Sequence, residues 1–117
     1  IFLFGCQSLP ENPDKWMERQ KNACLPTAIS FRESLRKYDI WAEVVSYWYI
    51  DYKTKKKVGH SIVAYMYPAG KNQLWTYDYE GSWRTRAWKE DPLMIAKEAE
   101  SIRGRWDNEM VYAEFEK

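Results

Sequence analysis

The chain holds one histidine, two cysteines and five glycines among 117 residues. A zinc site built from four Cys and His ligands is thereby excluded. The glycines stand apart from one another, so no glycine-rich loop for cradling phosphate forms, and no cofactor is expected. Opposite charges nearly cancel, with 18 Lys and Arg against 17 Asp and Glu. A dedicated nucleic-acid binder would carry a strong basic excess, so no nucleic-acid partner is expected. The apolar opening, Ile1 to Phe4, is far too short to cross a bilayer, which takes roughly 20 residues. Internal repeats and low-complexity stretches are absent as well.

What is plentiful is aromatic: seven Trp, nine Tyr and four Phe. A disordered chain carries few such residues. The length fits one domain with a small but real core. Scarcity then sharpens the chemistry. Any imidazole must come from His60, and any thiol from Cys6 or Cys24.

Ile1 to Phe4 read as the tail of a signal-peptide apolar segment. The tetrad Leu3-Phe4-Gly5-Cys6 that follows resembles a bacterial lipobox, in which a small residue precedes the cysteine that is lipidated. The resemblance implies a lipid anchor on Cys6 and a place in the bacterial cell envelope. With Gln7 next rather than Asp, it implies the outer membrane, facing the periplasm, in a Gram-negative cell. Two alternatives stay open: an inert core thiol, or a Cys6–Cys24 disulfide in an exported protein. Ser8 to Pro13 reads as a linker, with two prolines and no apolar period. The expected organisation is therefore 1–13 as remnant, lipobox and linker, and 14–117 as one domain.

Asp14 to Asn22 is a polar helical piece with Trp16 facing inward. Ala23 to Tyr38 is a better helix: Cys24, Ala28, Phe31, Leu35 and Tyr38 fall three or four apart on one face. Asn22 serves as its N-cap, and Pro26 must sit in the first turn. Cys24 then stands at the helix tip. Trp41 to Ile50, Gly59 to Tyr67 and Leu74 to Tyr79 read as three strands. Lys53 to Lys57 and Pro68 to Asn72 form the turns between them. Asp91-Pro92 opens a second helix that Gly104 stops. Met110 to Phe115 is the last strand. The fold class is α+β, with a helix packed on a mainly antiparallel sheet.

Strand parity puts His60 on one face with Ile62, Ala64 and Met66. Leu74, Thr76 and Asp78 share a face of the next strand. A turn near Ala69 or Gly70 pairs residues whose numbers sum to about 138–140, so Asp78 comes opposite or nearly opposite His60. Glu80 is the fallback partner. A carboxylate beside an imidazole fixes its tautomer and stabilises the imidazolium. A cysteine at a helix N-terminus has its thiolate favoured by the helix dipole. Cys24, His60 and Asp78 are thus candidate nucleophile, base and orienting group, and the Cys24 amide is a candidate oxyanion donor. Each alone has a plainer reading: a small core thiol, and a satisfied His–Asp pair.

Cys24 at a helix start, Gly59-His60-Ser61 at a strand start and Asp78 closing Trp75-Thr76-Tyr77-Asp78 together resemble the transglutaminase-like, papain-like cysteine peptidase superfamily, in particular its bacterial transglutaminase-like group. The resemblance spans Trp16 to Trp83. It implies Cys24 as nucleophile, His60 as general base and acid, and Asp78 as orienting group. Papain-like relatives often carry an oxyanion glutamine upstream of the cysteine. Gln20 is the candidate here, with a shorter spacing than usual and a solvated helix residue as its alternative. The expected activity is thiol acyl transfer on a protein or peptide substrate, releasing the acyl group to water or an amine. The competing expectation is a non-catalytic envelope module that binds peptide or saccharide through an aromatic surface made from Trp75, Tyr77, Tyr79, Trp83 and Trp88.

Overall fold

A computed structural model describes residues 24–68, 73–78, 81–105 and 107–117. The expectations for Cys6, Gln20, the linker, the 14–22 helix, Tyr79 and Glu80 lie outside the described residues.

The elements run α1 (Cys24–Arg36), β1 (Ala42–Ile50), β2 (Lys57–Met66), β3 (Leu74–Asp78), β4 (Gly81–Thr85), α2 (Pro92–Ile102) and β5 (Glu109–Phe115). The strands form one sheet in the order β4-β3-β2-β1-β5, with every pairing antiparallel. The class is α+β, as the helix and strand patterns indicate.

Alternation along the strands divides the sheet into two faces. On one, Ala42, Val44 and Val63 pack with Leu25 and Ala28 of α1, flanked by Ile29, Phe31 and Leu35. On the other, Val45, Tyr47, Ile62, Ala64 and Leu74 pack with Ile95, Ala96 and Ala99 of α2. β2 is covered on both sides, so its residues from Val58 to Ala64 are buried without a break. Burying each such Val or Ile side chain contributes about 1.5–3 kcal/mol.

The expected face of α1 holds at Ala28, Phe31 and Leu35, which pack on the sheet, and departs from expectation at Arg32 and Tyr38. Among the described side chains of α1, Leu25, Ala28 and Arg32 are buried. Arg32 is tolerated there because its guanidinium donates to the Glu116 and Lys117 carbonyls, at 3.3 and 3.4 Å, and pairs with Glu33 at 2.9 Å. Tyr38 lies past the end of the helix and is 78% exposed. The chain turns away there through Asp39, which takes a positive φ of 58°. Strand β4 was not among the sequence expectations. Gly81-Ser82-Trp83-Arg84-Thr85 has little β-forming character apart from Trp83 and Thr85, and its strand conformation comes from pairing with β3.

α2 is built as its sequence signals. Asp91 caps it, accepting from the Met94 amide at 3.0 Å, and Pro92 fills the first turn. Gly104 follows with φ 79°, a conformation that favours glycine.

Candidate functional site

β2 and β3 pair as Val63 with Tyr77 and Ala64 with Thr76, a register sum of 140. Asp78 is therefore a diagonal neighbour of His60 on the α2 face. His60 Nε2 lies 2.6 Å from Asp78 Oδ2, and both residues are buried. Turn position and strand parity place these two side chains together, as the structure does.

Two groups that the sequence argument did not include complete the cluster. Arg103, at the C-cap of α2, donates from Nη1 to the same Asp78 oxygen. Its guanidinium carbon stands 4.4 Å above the Trp83 ring. One aspartate thus faces a histidine from β2 and an arginine from the end of α2. Burial pushes the Asp78 carboxyl up, but the His60 hydrogen bond and the charges of His60 and Arg103 outweigh it and hold the group below its usual value. Arg103 had no sequence signal beyond being a basic residue near a helix end.

The second group is Tyr47, fully buried on β1, whose ring meets the His60 ring edge-to-face at 5.8 Å. Its hydroxyl donates to Glu100 Oε2 at 2.7 Å, and Glu100 accepts from Arg105 Nε at 2.8 Å. Burial, with the Glu100 charge and hydrogen bond adding to it, raises the Tyr47 phenol well above its ordinary range.

Cys24 opens α1. That helix packs on Val44 and Val63, whereas His60 and Asp78 belong to the face that carries Ile62, Leu74 and α2. Next to His60, it is Ser61 whose parity points toward α1, as does that of Val63, and the Ser61 hydroxyl pairs with that of Ser46 at 2.9 Å. The structure joins His60 to Asp78 and sets the helix that begins at Cys24 across the sheet from both. On the His60 face of β3 the nearby hydroxyl is Thr76, which is fully buried.

The aromatic residues divide between two surroundings. Tyr77 stacks on Phe31 of α1 at 4.1 Å and belongs to that side's packing. Trp75 and Trp88 belong to one end of the sheet. There the Met66 amide donates to the Trp41 carbonyl at 3.0 Å, and the Trp75 indole donates to the Tyr67 carbonyl at 2.9 Å. Beside Trp88 lies an open cleft of about 350 Å³. Met66, Leu74, Ala87 and Trp88 give it an apolar lining, and Arg86, Lys89 and Glu90 a charged one. Trp88 is 71% exposed.

The segment that carries Trp88 is pinned through its backbone. The Arg86 amide donates to Glu98 Oε1 at 3.0 Å, the Ala87 amide to Thr85 Oγ1 at 2.8 Å, and the Asp91 amide to the Trp88 carbonyl at 3.0 Å. A large ring held on a rigid turn loses little conformational entropy when something docks on it. A second cleft, between α2 and the start of β5, also has a charged lining, but Glu100 and Arg105 there are paired with each other.

Compared with protein-family models, with curated proteins and with solved structures, the chain matches none.

Proposed function

We propose that this domain is a binding module whose site is the Trp88 cleft and whose ligand is a peptide segment. The observation that carries the reading is an exposed indole on a backbone-pinned turn, beside an apolar floor. Clefts of a few hundred Å³ with an apolar lining and a few polar groups suit small ligands or short segments. Met66, Leu74 and Ala87 offer a place for an apolar side chain, which favours peptide over saccharide. A lipid anchor on Cys6, as the sequence suggests, would present such a module at the envelope surface. The test is a heteronuclear NMR titration of the full chain with short leucine-bearing peptides. Shifts centred on Leu74, Ala87 and Trp88, lost in Trp88→Ala, are expected. Shifts centred elsewhere, or none, overturn the reading.

A thiol acyl-transfer enzyme is the second reading, favoured by the 2.6 Å contact between His60 and Asp78. It requires Cys24 to react under the influence of His60, against the packing of α1 on the other face. Site-resolved alkylation of Cys24 at neutral pH separates the two. A binding module gives the same Cys24 rate in wild type and His60→Gln. A rate that falls by roughly tenfold or more in the variant favours the enzyme.

A further inference from the structure

Resting on the peptide-binding reading, we infer that the cleft selects a ligand with a single carboxylate, held by Arg86 and Lys89 while an adjacent apolar side chain enters the floor below Trp88. Among the described residues, the ion pairs occupy Arg32, Arg36, Arg103 and Arg105, and neither Arg86 nor Lys89 has a carboxylate partner. Both line the cleft, and Lys89 is held beside it by the Trp41 ring, its ammonium 5.4 Å from the ring centre. Cation–aromatic contact restrains the ammonium without neutralising it. Arg86 is exposed, and its backbone is fixed by the bond to Glu98.

Glu90 limits what such a rim accepts. It lines the same cleft and offsets one of the two cations, so the lining as a whole carries one net positive charge. One carboxylate matches that balance; a polyphosphate or nucleic-acid backbone does not. The floor adds the second requirement. Leu74 is nearly inaccessible and Met66 partly covered, so an apolar side chain entering there is largely removed from water. Recognition thus needs an apolar side chain with a carboxylate close to it. A chain-terminal carboxylate and an acidic side chain share that chemistry.

Three acetylated peptides test this in titrations of the full chain: a leucine-ended tripeptide with a free C-terminal carboxylate, its C-terminal amide twin, and an amide-capped peptide with one glutamate next to leucine. The free acid, or the glutamate peptide, or both, should bind about tenfold more tightly than the amide twin, as a charge-assisted hydrogen bond implies. Whichever of the two binds better identifies the source of the carboxylate. The double variant Arg86→Gln, Lys89→Gln should bring the preferred ligand down to the amide's affinity and weaken the salt dependence of binding. Both positions are exposed, and an unchanged thermal unfolding midpoint certifies the fold. Equal binding of all three peptides overturns the carboxylate inference and leaves the cleft reading standing. Binding of none, or preferential binding of an uncharged trisaccharide, overturns both.

Discussion

Asp78 holds His60 and Arg103 through one carboxylate oxygen, drawing together β2, β3 and the end of α2. The aspartate acts as a hub of the α2 face. Removing its charge breaks its buried pair with Arg103, and losing one partner of a buried pair costs about 3–5 kcal/mol. Asp78→Asn should therefore lower the unfolding free energy by about 3 kcal/mol, read from urea denaturation. A loss no larger than that of an exposed substitution would show that the hub carries little of the stability.

The same carboxyl sets an acid limit. Its folded-state value is lowered from 3.8, so its contribution is present above that value and is lost as pH falls through the lowered one. The stability gap between wild type and Asp78→Asn should be full at neutral pH and close as the pH drops below about 4. Denaturation curves at stepped pH measure it. A gap that widens in acid has the wrong sign.

Tyr47 sets an alkaline limit. With its phenol raised far above the ordinary range, the folded state resists losing that proton, whereas the unfolded chain loses it near pH 10, roughly. Stability from this group is complete below that point and declines above it. Tyr47→Phe also removes the hydroxyl that Glu100 accepts from, a bond to a charged group worth about 1.5–3 kcal/mol. The variant should be less stable at neutral pH, and the difference should shrink in alkali.

Gly81 has φ 139°, and a methyl added there would meet the Trp83 ring, with its nearest atom at 3.4 Å. Gly81→Ala should destabilise by about 1–3 kcal/mol, because the backbone conformation is one that side chains rarely adopt. The measurement is the urea midpoint. A second readout is the Trp83 indole resonance, which should shift as the ring moves under Arg103.

Asp91→Ala removes the α2 cap and should cost about 1 kcal/mol. It also loosens the turn that carries Trp88, so peptide affinity at the cleft should fall with it. An affinity unchanged in a destabilised Asp91→Ala protein would show that the turn is held without its cap.

Local signals account for much of this architecture. Asp91-Pro92 and Gly104 bracket α2 because capping and left-handed turns depend on residues close in sequence. The register of His60 and Asp78 followed from turn position and parity. Strand β4 was not legible, since Ser82 and Arg84 acquire their conformation from pairing with β3. The side of the sheet on which α1 settles was hidden for a related reason. Parity says that His60 and Ser61 point opposite ways, but only long-range packing decides which of the two faces each helix. Arg103 was hidden because its partner, Asp78, lies 25 residues away.

The unbroken burial of β2 has one more consequence. His60 points toward α2 because Val58, Ile62 and Ala64 share its parity and are committed to that core, while Val63 is committed to the other. Inserting one residue just before His60 would exchange the partners of every side chain from there on. The imidazole would then face the helix that begins at Cys24, Val63 and Ile62 would trade compartments, and Tyr65 would have to fit into the compartment where Ala64 is buried. The distance between this sheet and one that offers its histidine to the first helix is a single residue of chain, not a new topology.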